Sequence, residues 1–191
     1  MPYRDVPAFM AKLKRVSAPG AKALRFLILT AARSSEVFEA RWEEIDLDAK
    51  RWTNPGSRMK TKLEHIVPLS DAAVDLLQGQ LASRRRNQAF VFPGARPGRP
   101  LSNMAMAMQL RRLGAGEYTV HGFRSAARDW MADHGVEFQL AEACLAHKIG
   151  NAASQAYLRS TMVERRRPIM AQWAAHVEGE SGGNVIPMRR G

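Results

Sequence analysis

Apolar side chains recur at helical spacing near the start of the chain: Val6, Phe9, Met10 and Leu13 share one face, and Leu24, Leu27, Ile28 and Ala31 form a second such stripe. The second pattern breaks at Ser34 and Ser35. Either is a candidate cap for a short following helix, which puts Glu36 in its positively polarised first turn and Arg33 at the boundary. Across residues 42–70 the period changes. Ile45 and Leu47 alternate, residues 48–50 suit a turn, Trp52 and Thr53 favour strand, and residues 66–69 are extended, which together predict a small antiparallel sheet. Asp71 is the predicted N-cap of a helix reaching Leu81, beyond which Arg84, Arg85 and Arg86 form a basic run. After the short apolar segment 90–92, PGARPGRP is dense enough in proline and glycine to be an irregular surface loop. The pattern then predicts helices over residues 103–113, 121–134, 138–147, 152–157 and about 162–177. The expected class is therefore mainly α with a small antiparallel β-sheet (α+β), built on one core over residues 1–178. GESGGN opens a flexible tail over 179–191, behind which VIPM has no core of its own to join.

Charge adds a partner to this picture. The 191 residues carry 29 Lys plus Arg against 18 Asp plus Glu, a formal charge of +11 that puts a polyanion, nucleic acid first, among the partners to consider. The single cysteine, Cys144, rules out an internal disulfide framework and a thiolate-rich metal cluster, and it falls in an apolar helical run where a small buried residue is expected. No apolar run has the length of a membrane span, and MPYRDVPAFMAKLKR lacks the apolar stretch of a secretory signal, so the expected location is cytoplasmic, with no membrane partner.

The candidate chemistry lies in an ordered set: Arg33 and Glu36 in TAARSSEV, Lys60 in RMKTKLEHIVPLS, His121 and Arg124 in VHGFRSAARDW, and His147 and Tyr157 in LAHKIGNAASQAYLRS. Each has a bland reading on its own. Arg33 could merely neutralise the helix dipole, His147 could be a satisfied structural histidine and Tyr157 a core tyrosine. Their order and local phrasing across four segments speak against all of these at once. His121 and Arg124, three apart, share one helix face, and a helix starting near His121 aims its positive end at whatever anion Arg124 binds. His65, His134, His176, Tyr3 and Tyr118 stand outside the set and read as structural or surface groups.

Over residues 3–178 these segments resemble the catalytic domain of the tyrosine recombinases, nearest to integrases of phages and genomic islands in the satellite-phage group, where MKT is followed by HIVPLS. The resemblance implies the tyrosine recombinase catalytic-domain fold and site-specific DNA recombination through a covalent 3′-phosphotyrosyl intermediate. Arg33 and Arg124 would then clamp the scissile phosphate, as paired guanidinium donors suit the charge that gathers on its nonbridging oxygens. Tyr157 would attack, with His121 as base, because a phenol of pKa about 10 is a poor nucleophile at neutral pH. Lys60, with Lys62 as the fallback, would protonate the departing 5′ oxygen, His147 would hydrogen-bond the phosphate, and Glu36 would orient the arginines or His121. Lys62, Arg84, Arg85, Arg96 and Arg99 are the expected DNA-binding side chains outside the centre.

No cofactor and no metal are expected. The phosphotyrosine retains the energy of the broken diester, and the sequence has neither a GxxxxGK loop nor a ligand cluster at metal spacing. The implied partner is double-stranded DNA, bound by a homotetramer of the full-length protein and mostly by a monomer of this stretch alone, with a possible directionality factor. Relatives carry DNA-binding segments ahead of the catalytic domain, and this chain is expected to lack them. A chromosome-dimer resolvase of the same fold and a noncatalytic DNA-binding regulator are the rival readings.

Overall fold

A computed structural model describes residues 1–59, 62–147 and 152–180, and for residues 152–161 the helical backbone alone. The helices are α1 (Val6–Lys14), α2 (Pro19–Thr30), α3 (Ser34–Phe38), α4 (Asp71–Ala82), α5 (Ala105–Arg112), α6 (Gly122–Asp133), α7 (Phe138–Cys144) and α8 (Ala152–Glu178). Strands β1 (Ile45–Asp46), β2 (Arg51–Asn54) and β3 (His65–Pro68) form an antiparallel sheet in the order β1-β2-β3. The expected class, mainly α with a small antiparallel sheet, is what the molecule shows.

The core gathers on α2, whose Leu24, Phe26, Leu27 and Ile28 are fully buried, because α1, α4, α5 and α8 all pack on it. Its apolar content is higher than one stripe requires, as befits a helix covered on several sides. The sheet joins through Trp52, whose ring lies 5.2 Å from that of Phe26, and the Phe92 ring lies 5.6 Å from Phe26. Helix α8 reaches across α1, α2, α4, α6, α7 and β3, and buried Trp173 donates its indole N–H to the Ile28 carbonyl at 2.7 Å.

Element ends differ from the sequence pattern in ways with a local cause. Ser70, not Asp71, caps α4, since its hydroxyl accepts the Ala73 N–H at 3.3 Å, and Asp71 becomes the first helical residue, favourable to the dipole. Neither Ser34 nor Ser35 caps α3: Arg33 takes the N-cap place in extended conformation, and the Glu36 carboxylate accepts its backbone N–H at 2.9 Å. The two C-terminal helical segments are one helix, α8, with Pro168 inside; a proline there removes one ladder bond but does not stop a helix held by packing on both sides of it. The predicted 138–147 helix stops at Cys144, after which the chain turns through Ala146 in the left-handed region, φ 51°.

Register in the hairpin pairs Trp52 with Val67 and Asn54 with His65. Beyond that last pair the connection folds back tightly. A Cβ on Gly56 would lie 2.7 Å from the Lys62 carbonyl oxygen, so only glycine fits. Arg58 ties the hairpin to the rest of the fold through the Glu44 carboxylate and the Glu39 carbonyl, and Met59 is buried. Residues 60 and 61, hence Lys60, lie outside the described residues, as do 148–151 and the tail from 181 onward. Among the described residues no helix is long and apolar enough to cross a membrane.

Candidate active site

The left-handed turn after α7 is the hub. Arg33, at the start of α3, donates through Nη2 to the Ala146 carbonyl at 3.0 Å, while its Nη1 meets the Glu36 carboxylate at 2.8 Å. Arg124, in the first turn of α6, donates through Nη2 to the Leu145 carbonyl at 2.6 Å and through Nη1 to the Ala31 carbonyl at the end of α2. Two guanidinium groups from sequence positions far apart therefore converge on one pair of carbonyls. The positive φ at Ala146 turns these carbonyls toward them, at a cost of about 1–2 kcal/mol for a residue with a Cβ.

Arg124 is 4% exposed, and its Nε–H has no acceptor among the described residues. Burial first, then the Arg33 charge, pulls its pKa down to about 10, with Glu36 and Glu142 opposing, so it stays cationic at neutral pH. Glu36, also buried, neutralises part of Arg33 and fixes its direction.

His147 lies beside Arg124, with its Nε2 3.4 Å from Nη2 and its Nδ1 2.7 Å from the carboxylate of Glu142. A guanidinium can only donate and a carboxylate only accept, so the neutral ring carries its proton on Nδ1. The other oxygen of Glu142 accepts from Arg128 Nε at 2.8 Å. His121, largely exposed at the N-cap of α6, lies within reach of the charges of the same centre. Burial, then the charges of Arg124, Arg33 and His147, lower its pKa, which keeps the imidazole neutral and able to take a proton.

Of the sequence-predicted set, Arg33, Glu36, His121, Arg124 and His147 are thus brought together. Tyr157 falls in α8, with its side chain outside the described residues, and Lys60 is outside them altogether. Lys62, Arg84, Arg85, Arg96 and Arg99 are all exposed. Arg84 is held over the Trp42 ring at 5.5 Å, and Lys62 adopts a left-handed φ of 60°.

Three residues outside the sequence-predicted set belong to the neighbourhood. His65, at the first position of β3, is pushed down to about pKa 3 by burial, then by Arg166, Arg33 and Arg124. Arg166, 3% exposed, donates to the Ala143 carbonyl at 3.3 Å and so reaches α7 from α8. Glu142 is 9% exposed, and its place five residues before His147 in the AEACLAH segment is the one signal the sequence carries for it. A charged residue on an otherwise apolar helix face warrants a partner.

Residues 1–164 match the model of the phage integrase family. Among curated proteins, prophage integrase IntA of Escherichia coli (strain K12) is 35% identical over 186 residues, covering 95% of this chain and 45% of that protein. Prophage integrase IntZ of the same organism is 34% identical over 196 residues, covering 98% of this chain and 47% of IntZ. The integrase of Enterobacteria phage P4 is 33% identical over 198 residues, covering 93% and 45%. This chain spans about half the length of the curated relatives it matches. A crystal structure of XerA recombinase superposes with a TM-score of 0.60 at 17% identity, covering 81% of this chain and 60% of that one, a likeness of fold. With the family model covering most of the sequence, this chain belongs to the phage integrase family.

Proposed function

We propose that residues 1–178 form a catalytic domain for site-specific DNA recombination, cutting and rejoining DNA through a covalent bond to Tyr157. The observation that carries this reading is the convergence of Arg33 and Arg124 on one turn, flanked by His121 and His147. The Nε–H of Arg124 is buried and has no acceptor among the described residues.

Each step balances without a cofactor. The Tyr157 hydroxyl oxygen attacks phosphorus while His121, neutral in its cationic surroundings, accepts the phenolic proton. Arg33 and Arg124 take up the charge on the nonbridging oxygens, and His147, with Nδ1–H on Glu142 and a second proton on Nε2, donates from Nε2 to one of them. The bond from phosphorus to the 5′ oxygen breaks, and Lys60 supplies the proton that oxygen requires. A 5′ hydroxyl from another strand then gives its proton back to Lys60 and attacks the 3′-phosphotyrosine, and His121 returns its proton to the Tyr157 oxygen as the bond from phosphorus to that oxygen breaks. Glu36 holds Arg33 in place throughout. Exposed Lys62, Arg84, Arg85, Arg96 and Arg99 are placed in this reading on the duplex outside the cleavage point, where contacts to phosphate give affinity that falls with salt. Double-stranded DNA is the substrate, and a homotetramer of the full-length protein in the cytoplasm is the acting form.

The test is a nicked suicide duplex carrying the core site, taken from the flanks of the element that encodes the protein. Wild type is expected to give a covalent protein–DNA adduct on a denaturing gel, in EDTA as in magnesium, and Tyr157→Phe none. An adduct that survives Tyr157→Phe refutes the assignment of the nucleophile. A full-length protein that binds its core site and never forms an adduct is a noncatalytic regulator instead.

A further inference from the structure

Glu142 touches no reacting atom in the chemistry just described, yet it is a carboxylate 9% exposed on a helix whose other buried residues, Leu140, Ala141 and Cys144, are apolar. Both of its oxygens are committed. One accepts from Arg128 Nε at 2.8 Å, the other faces His147 Nδ1 at 2.7 Å. The His147 backbone N–H also closes on the Glu142 carbonyl at 3.0 Å, so main chain and side chain hold the histidine together. Arg128 in turn lies over the ring of Phe138, 5.9 Å away, at the start of the same helix.

From this geometry we infer that Glu142 is a positioning residue that acts through His147, fixing both the ring's orientation and its Nδ1–H tautomer, with Arg128 holding the carboxylate. The reason lies on the other side of the ring. Arg124 Nη2 stands 3.4 Å from Nε2 and can only donate. With the proton on Nε2, two donors would face each other inside a half-buried cluster that already contains Arg33 and Arg124. With the proton on Nδ1, the ring accepts from Arg124, and Nε2 is the atom free to take up the second proton with which the ring donates to a phosphate oxygen. A carboxylate on Nδ1 selects this arrangement because it accepts only, whereas water would serve either tautomer. A histidine held by a hydrogen bond on its far nitrogen is a recurring way of defining which nitrogen works. Here the holder is Glu142, five residues away across the turn whose carbonyls bind the two arginines.

The inference rests on His147 facing the substrate, as in the proposed function, but its first test needs no DNA. In protein labelled with 15N-histidine, long-range nitrogen–proton correlations report which ring nitrogen of His147 is protonated. Wild type is expected to show Nδ1–H and an unprotonated Nε2. Glu142→Ala is expected to lose that preference, and Glu142→Gln, whose amide oxygen still accepts, to keep it. A wild-type ring protonated on Nε2, or a tautomer unmoved in Glu142→Ala, overturns the inference whatever becomes of the DNA chemistry.

In the suicide-substrate assay, Glu142→Ala is expected to slow adduct formation about 10-fold or more, bounded by the loss in His147→Ala, and Glu142→Gln to restore most of it. The two sites are expected to be non-additive, the Glu142→Ala/His147→Ala double variant cleaving at the rate of His147→Ala alone. Additive losses would mean that Glu142 serves the fold and not His147. Unaltered cleavage in Glu142→Ala, with wild type active, would overturn the inference as well. A wild type that forms no adduct refutes the proposed function while the spectrum still decides the role of Glu142.

Discussion

His65 is expected to make the folded protein sensitive to acid, and glutamine in its place to remove that sensitivity. Its imidazole is pushed down to about pKa 3 by burial and by the charges of Arg166, Arg33 and Arg124, against 6.5 in an unfolded chain. Between those values the unfolded chain binds a proton that the folded one refuses, so stability falls as the pH drops below 6.5. From 6.5 to 5.0 the penalty at about 1.4 kcal/mol per pH unit is about 2 kcal/mol, and the partial exposure of the ring reduces it toward about 1 kcal/mol. Urea unfolding followed by tryptophan fluorescence at pH 7.5 and 5.0 measures it. For a denaturant slope of about 2–3 kcal/mol/M, the midpoint of wild type should fall by roughly 0.3–1 M more than that of His65→Gln. Comparing the two proteins at each pH cancels the carboxylates and the other histidines, which titrate in both. Equal losses would mean that His65 titrates like a free imidazole, and that β3 does not hold it against the three guanidinium groups.

Ala146 occupies the left-handed region at φ 51°, where glycine is free of strain and a β-branched residue is excluded. Ala146→Gly is therefore expected to change stability by less than about 1 kcal/mol, whereas Ala146→Val should cost about 2 kcal/mol or more and displace the carbonyl that Arg33 binds, as thermal unfolding would show. His121 is expected to titrate below 6.5 in a proton NMR series, because burial and then Arg124, Arg33 and His147 disfavour its cation, and to move upward in Arg33→Gln; a midpoint unmoved by that substitution would exclude the charge effect. Cys144, buried and with its thiol pushed up to about 12, should resist a thiol reagent at pH 8 and react only on unfolding; rapid reaction in the native protein would show that α7 opens readily.

How much of the fold and the site is legible in the sequence depends on where each determinant lies. The helical stripes at Val6–Leu13 and Leu24–Ala31 are local patterns, and they mark α1 and α2 because one face must be buried whatever the neighbours are. Cap residues are less legible. Ser70 and Asp71 are both good caps, and the choice between them turns on the φ and ψ that the approach of β3 imposes. Arg33 as an N-cap contradicts cap preference outright, and is tolerated because Glu36 satisfies its N–H while Ala146 and Leu145, far along the chain, engage its side chain.

The sequence by itself determined most element types, the apolar stripes of α1 and α2 and the order of the candidate site residues, because these follow from side-chain chemistry and from spacing along the chain. Only the tertiary structure decided which acceptors the two arginines meet, that Glu142 holds His147, and that His65 loses its charge among Arg166, Arg33 and Arg124. Hydrogen bonds and Coulomb interactions act over a few ångströms of space and take no account of sequence separation. They are set when the ends of α2 and α7, the start of α6 and the first residue of β3 pack around one turn.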